Sequence, residues 1–157
     1  MKKRKVNTQP FWRFLFLCYC AVMLWLLFCR SPERVAGLTY AQQLARNTNF
    51  TPLLTIRNYL HVILHRSNDA VLAHCIINLA GNVILFIPAG CLLPKLWKKM
   101  RNFFLFLLTC TVHILLIELL QLFTLLGSFD VDDLILNLLG MILGFIGYTV
   151  CAAIKKR

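Results

Sequence analysis

The sequence predicts an all-α integral membrane protein: a four-helix bundle with short interfacial helices in its first outer loop. Three observations lead there. Of the 157 residues, 59% are hydrophobic and 15% charged, with a mean hydropathy of +0.71, more apolar content than a soluble domain of this length can bury. Several apolar runs approach the roughly 20 residues needed to cross about 30 Å of hydrocarbon, placing spans near 11–29, 71–94, 103–126 and 134–154 and an outer loop at 30–70. Finally, Lys and Arg cluster at alternate ends of these runs. Four such spans make one small domain, 1–157.

The charge placement also gives orientation. The net charge is +11, and 12 of the 17 basic residues fall on one side of a chain that crosses four times: Lys2, Lys3, Arg4, Lys5 and Arg13; Lys95, Lys98, Lys99 and Arg101; Lys155, Lys156 and Arg157. This distribution argues against nucleic-acid binding, and the positive-inside rule makes that side, with both termini, cytoplasmic. Glu33, Asp69, Asp130, Asp132 and Asp133 fall on the opposite side.

The first span follows a basic start, as a secretory signal would. Its uncharged run, Phe14 to Cys29, is long and bulky and lacks a small-residue exit, so a retained anchor is expected. The outer segment of about 40 residues is too long for a tight turn and should carry structure of its own. Ser31-Pro32-Glu33 and Thr51-Pro52 each set a cap residue before a Pro suited to the first helical position, predicting two short surface helices. In the second, Leu53, Ile56, Leu60, Ile63 and Leu64 share one face and Arg57, His61 and His65 another, the pattern of a helix lying flat at the headgroup level. Anchoring alone explains that pattern. Alternatively Arg57, Arg66 and the histidines meet an anionic headgroup or lipid-linked phosphate, for which Arg offers bidentate geometry.

The second span sets His74, Asn78, Gly81 and Asn82 mostly on one face, with Pro88 and Pro94 further along, where neighbouring helices re-satisfy the freed carbonyls. The third sets Glu118 and Gln121 in apolar surroundings. An acid in mid-span costs roughly 2.5–3.5 kcal/mol on insertion scales, so Glu118 demands a partner or a purpose. In the fourth, Asp130, Asp133, Asn137, Gly140 and Gly144 repeat at steps of 3 and 4 and form one stripe. Asp130 is suited to N-cap this helix, and the glycines, with Gly147 beyond, to close helix approach. At 1.5 Å per residue, Asn78 and Asn82 lie roughly 10 and 17 Å below the outer end, Glu118 roughly 12 Å and Asn137 roughly 5 Å. Polar groups of three spans thus converge in the outer half and predict a pocket for a polar group. The alternative is a network that only fixes helix register.

The seven cysteines lie in or at the ends of apolar runs without paired spacing, predicting small apolar fillers rather than a disulfide framework or zinc site. No cofactor and no metal is expected.

The blocks "NFTPLLTIRNYL" (49–60), "NLAGNVILFIPAGCLLP" (78–94), "IELLQ" (117–121) and "FDVDDLILNLLGMILG" (129–144) resemble, in order and spacing, those of VanZ-like proteins. The family more often has an aromatic where Leu53 stands. The resemblance implies a multi-pass protein of the bacterial cell membrane associated with low-level resistance to the glycopeptide teicoplanin. Its blocks coincide with Asn78, Asn82, Glu118, Gln121, Asp130, Asp133 and Asn137. The expected function is binding or handling of an anionic lipid or lipid-linked envelope precursor at the outer leaflet, with Glu118 and Asp133 as anchors or acid/base groups. A non-enzymatic scaffold and a proton- or cation-coupled carrier are the alternatives, the last disfavoured by an almost wholly apolar inner half.

Overall fold

The computed structural model describes residues 8–29, 35–65 and 68–155. In chain order these form α1 (Gln9–Phe28), α2 (Tyr40–Arg46), β1 (Thr48–Asn49), α3 (Leu54–Leu64), α4 (Asp69–Leu96), a 3₁₀ turn (Lys98–Arg101), α5 (Phe103–Thr124), β2 (Phe129–Asp130) and α6 (Val131–Ile154). Helices α1, α4, α5 and α6 are long and apolar enough to cross a membrane. These are the four expected spans, each within a few residues of its sequence bounds.

Helices α4 and α6 run parallel and make the most extensive contact in the molecule. A Cβ at Gly140 would run into the Val83 carbonyl oxygen, and one at Gly144 into the Ile87 carbonyl oxygen. Only residues without a side chain allow backbones this close, where dispersion contacts replace a hydrophobic drive that lipid does not supply. Helix α5 completes a three-helix core: Phe86 and Ala89 of α4, Phe106, Cys110 and Ile114 of α5, and Met141 and Phe145 of α6 are buried together. The Phe106 and Phe145 rings lie 4.7 Å apart. Helix α4 runs on through Pro88 and Pro94.

Helix α1 leans on this core from outside, and Met23 is its one buried residue. The Tyr19 hydroxyl donates to the Leu85 carbonyl at 2.8 Å, the Lys95 ammonium sits 2.9 Å from the Trp12 ring centroid, and Phe16 meets Trp97 edge-on at 5.3 Å. These contacts bring Arg13, Lys95, Lys98, Lys99 and Arg101 to one end of the bundle, the basic end. The connections carrying Asp69, Asp130, Asp132 and Asp133 mark the other, the acidic end.

The outer segment is structured, though not from the expected starting points. The proposed start at Ser31-Pro32-Glu33 lies outside the described residues. A surface helix does occur at α2, where Thr39 and Gln42 form a reciprocal capping box. The Thr51-Pro52 cap is corrected: α3 begins two residues later, behind Leu53 at φ 63°, and no side chain of its own caps it. A partner from α6 takes that part, as described below. Strand β1 pairs in parallel with β2, Thr48 opposite Phe129 and Asn49 opposite Asp130. The Tyr40 hydroxyl donates to the Phe123 carbonyl at 2.8 Å, and the outer segment is thereby fastened over the α5–α6 connection.

The apolar arc of α3 is wider than one face. Ile56, Tyr59, Val62 and Ile63 are half-buried, as the inward side of a helix that packs on α4, while Leu53, Leu60 and Leu64 are exposed. The helix thus lies with one apolar flank on the bundle and the other free for lipid. Arg57, His61 and His65 are exposed on the polar arc, the two imidazoles stacked at 4.0 Å.

Candidate functional site: a carboxylate–amide cluster below the acidic end

The three carboxylates that open α6 have three different partners. Asp130 is the N-cap as expected, its Oδ1 accepting from the Asp132 amide at 2.9 Å. The same carboxylate receives the Thr55 hydroxyl at 2.6 Å and the Asn49 side-chain amide at 3.2 Å. Asp132 has no accessible surface and turns away from its own helix. Its two oxygens accept the backbone amides of Leu53 and Ile56, the latter at 3.0 Å. It is therefore an N-cap supplied to α3 by α6, satisfying two of the amides a helix start leaves unpaired. A left-handed residue at position 53 presents these amides to it, and the Thr51-Pro52 device is displaced for that reason.

Asp133 points into the bundle, where its Oδ1 accepts from the Asn82 side-chain amide of α4. The same Asn82 amide lies 3.5 Å from the Asn78 side-chain oxygen Oδ1. On the α5 side, the Asn137 amide of α6 donates to Glu118 at 3.3 Å. Both are nearly sealed, Glu118 at 4% exposure and Asn137 at 3%. The side-chain oxygen Oδ1 of Asn137 is buried and accepts no hydrogen bond. Gln121, also buried, serves a different contact: its amide donates to the Leu27 carbonyl at 3.0 Å and ties α5 to the end of α1.

The structure thus brings Asn78, Asn82, Glu118, Asp133 and Asn137 together from three spans, as two linked pairs side by side on α6. It assigns Asp130 to the clasp between α6 and the outer segment, and Gln121 to the α1–α5 contact. Arg57 is exposed on the outer side of α3, away from these pairs, and Arg66 lies outside the described residues. The depth count also needs correction for α4. With Gly140 resting on Val83, the N-terminal turns of α4 project roughly 8 Å beyond the start of α6. The cluster sits about 9 Å from the acidic ends of α5 and α6, counting six residues to Glu118 and to Asn137.

Sequence reasoning passed over three residues that shape the site: Asp132, Asn49 and Thr55. A signal was present, because one helix start needs one capping carboxylate and the chain has three acids there. Position alone does not say which helix the surplus acid caps.

Chemically, the cluster offers carboxylate and amide oxygens, which are acceptors, and the amides of Asn82 and Asn137 are already engaged as donors. It suits hydroxyl, amide or ammonium groups better than a bare anion. Among the described residues no group of three or more His, Cys, Asp or Glu is arranged to hold a metal ion. A groove of about 590 Å³ runs along the other side of the core, lined by Phe86, Cys110, Ile117 and Met141 and by α1.

A protein-family model described as VanZ/LLP1 matches residues 16–152, a stretch that holds the whole cluster, the Asp132 cap and the close α4–α6 contact. Comparison with curated proteins and with solved structures finds no match. The chain belongs to the VanZ/LLP1 family and is built on four helices of membrane-spanning length.

Proposed function

We propose that this protein binds or handles a lipid or lipid-linked component of the cell envelope at the leaflet facing the acidic end. Hydroxyl or amide groups of the headgroup enter the Glu118–Asn137 and Asn82–Asp133 cluster, and an anionic portion meets Arg57 at the surface. Membership of the family supports a link to glycopeptide resistance, and in this reading the membrane is a bacterial cell membrane, with the basic end and both termini on its cytoplasmic side by the positive-inside rule.

The observation that carries the proposal is a carboxylate buried in a span, with only the Asn137 side-chain amide and the Asp130 backbone amide near it. An acid there costs roughly 2.5–3.5 kcal/mol to insert, whereas an interhelical hydrogen bond in a membrane returns on the order of 0.6 kcal/mol. The two contacts together do not offset Glu118. A purpose beyond bracing is the better account, and the unpartnered Asn137 Oδ1 beside it gives a donor-bearing ligand somewhere to bind.

A second function, a scaffold without chemistry, is favoured by one fact: both pairs join different helices, α4 to α6 and α5 to α6. The two separate in a host expressing Glu118→Gln, Asp133→Asn and Asn82→Ala. Working-site variants keep normal membrane abundance while teicoplanin protection is lost. Parallel loss of abundance and protection is the scaffold's result and overturns the proposal.

A further inference from the structure

The groove beside α1 has a chemistry of its own: it runs from Trp97 and Met100 at the basic end up to Ile117 and Leu27, on the α1 side of the core. Its side along α1 runs from Phe16 to Phe28, about 18 Å, slightly more than one leaflet's half of a hydrocarbon core about 30 Å thick. It is apolar along that length. Of its polar side chains, His113 turns its Nδ1 back to the Thr109 carbonyl at 2.7 Å, Tyr19 is engaged by Leu85, and Thr109 adds one hydroxyl. At the basic end the groove opens between Phe16, Trp97 and Met100.

That mouth is flanked by uncompensated positive charge. Arg13 lies three residues before Phe16, on the stripe that continues through the groove-lining Cys20, Met23 and Leu27, and its side chain is exposed. Lys98 and Lys99, which flank Trp97 and Met100, are exposed as well. Among the described residues the acids are Asp69, Glu118, Asp130, Asp132 and Asp133, and none of these falls at this end. Lys95 and Arg101 are already occupied by the Trp12 ring and the Pro94 carbonyl.

We infer that the groove is a binding site for one anionic phospholipid of the leaflet at the basic end. One acyl chain lies between α1, α4 and α5, and the phosphate rests on Arg13, Lys98 and Lys99. Arg suits the phosphate through its paired donors. The apolar length excludes a soluble anion as occupant, and the uncompensated charge selects an acidic lipid over a zwitterionic one. This site is independent of the function proposed for the acidic end.

Trp97, at the mouth, reports occupancy. The full chain carrying Trp12→Phe and Trp25→Phe is reconstituted in phosphatidylcholine vesicles containing a minor fraction of brominated phosphatidylglycerol or brominated phosphatidylcholine. Brominated phosphatidylglycerol quenches Trp97 beyond the level set by its share of the bilayer, and brominated phosphatidylcholine does not. Arg13→Gln reduces the anionic preference about fivefold, the worth of one surface cation near a charged leaflet. Filling the groove with Cys20→Phe or Leu24→Phe removes the excess quenching, while Leu108→Phe on the lipid-exposed side of α5 leaves it intact. Equal quenching by the two lipids overturns the inference, as does excess quenching that survives a groove-filling variant. If neither groove variant folds, the Arg13→Gln ratio decides alone.

Discussion

A carboxylate with no accessible surface must recover the solvation it gives up, and Asp132 does so through two backbone amides of another helix. Hydrogen bonds to a charged group contribute about 1.5–3 kcal/mol each at most, and a lost capping residue typically costs about 0.5–2 kcal/mol. Asp132→Ala is therefore expected to release α3 from the bundle without unfolding the four spans. Hydrogen exchange checks this: the amides of Leu53 and Ile56 lose protection, while those of α4 and α6 keep theirs. Loss of protection throughout would mean that Asp132 supports the whole bundle rather than one surface helix. At this scale the sequence was only partly legible. Asp130 as the N-cap, and Glu118, Asn82 and Asn137 as polar groups needing partners, follow from spacing. That Asp132 caps α3 depends on a contact across 79 residues of chain, which helix periodicity does not encode.

Among the elements, the spans were the most legible because hydrocarbon imposes one length and one composition on all of them. The α4–α6 seam was legible too, since glycines at steps of 3 and 4 have few other uses in an apolar helix. Gly140 and Gly144 rest on backbone oxygens, whereas a Cβ at Gly147 would meet only the Cys91 sulfur at 3.7 Å, ordinary contact. Gly140→Leu should thus separate the helices and destabilise the bundle by more than the usual 1–3 kcal/mol of overpacking, and Gly147→Ala should be close to neutral. Thermal aggregation in detergent measures both. Equal tolerance of the two would contradict the seam. The two-residue strands went unread for the opposite reason. Segments as short as Thr48–Asn49 and Phe129–Asp130 carry no alternation to detect, and their pairing arises from the tether that Asp130 makes to Asn49 and Thr55.

On the scale of the whole molecule, charge is sorted along the bundle axis. The acidic end carries the clasped outer segment and the cluster; the basic end carries free cations around the mouth of an apolar groove. The positive-inside rule predicts an orientation from this polarity. In intact cells, with native thiols replaced, Asn68→Cys is expected to react with an impermeant reagent and Asn102→Cys to be protected. The reverse pattern would invert the protein in its membrane and exchange the leaflets assigned to the two sites.

Both functional proposals assume the helix arrangement, and the acidic-end site depends on separate spans meeting at one level. Paired cysteines test this most directly. In native membranes, Asn82→Cys with Asp133→Cys, and Glu118→Cys with Asn137→Cys, should each form an intramolecular disulfide on mild oxidation, while Ile77→Cys with Leu120→Cys, both lipid-exposed, should not. Failure of both cluster pairs, in protein of normal abundance, would contradict the account.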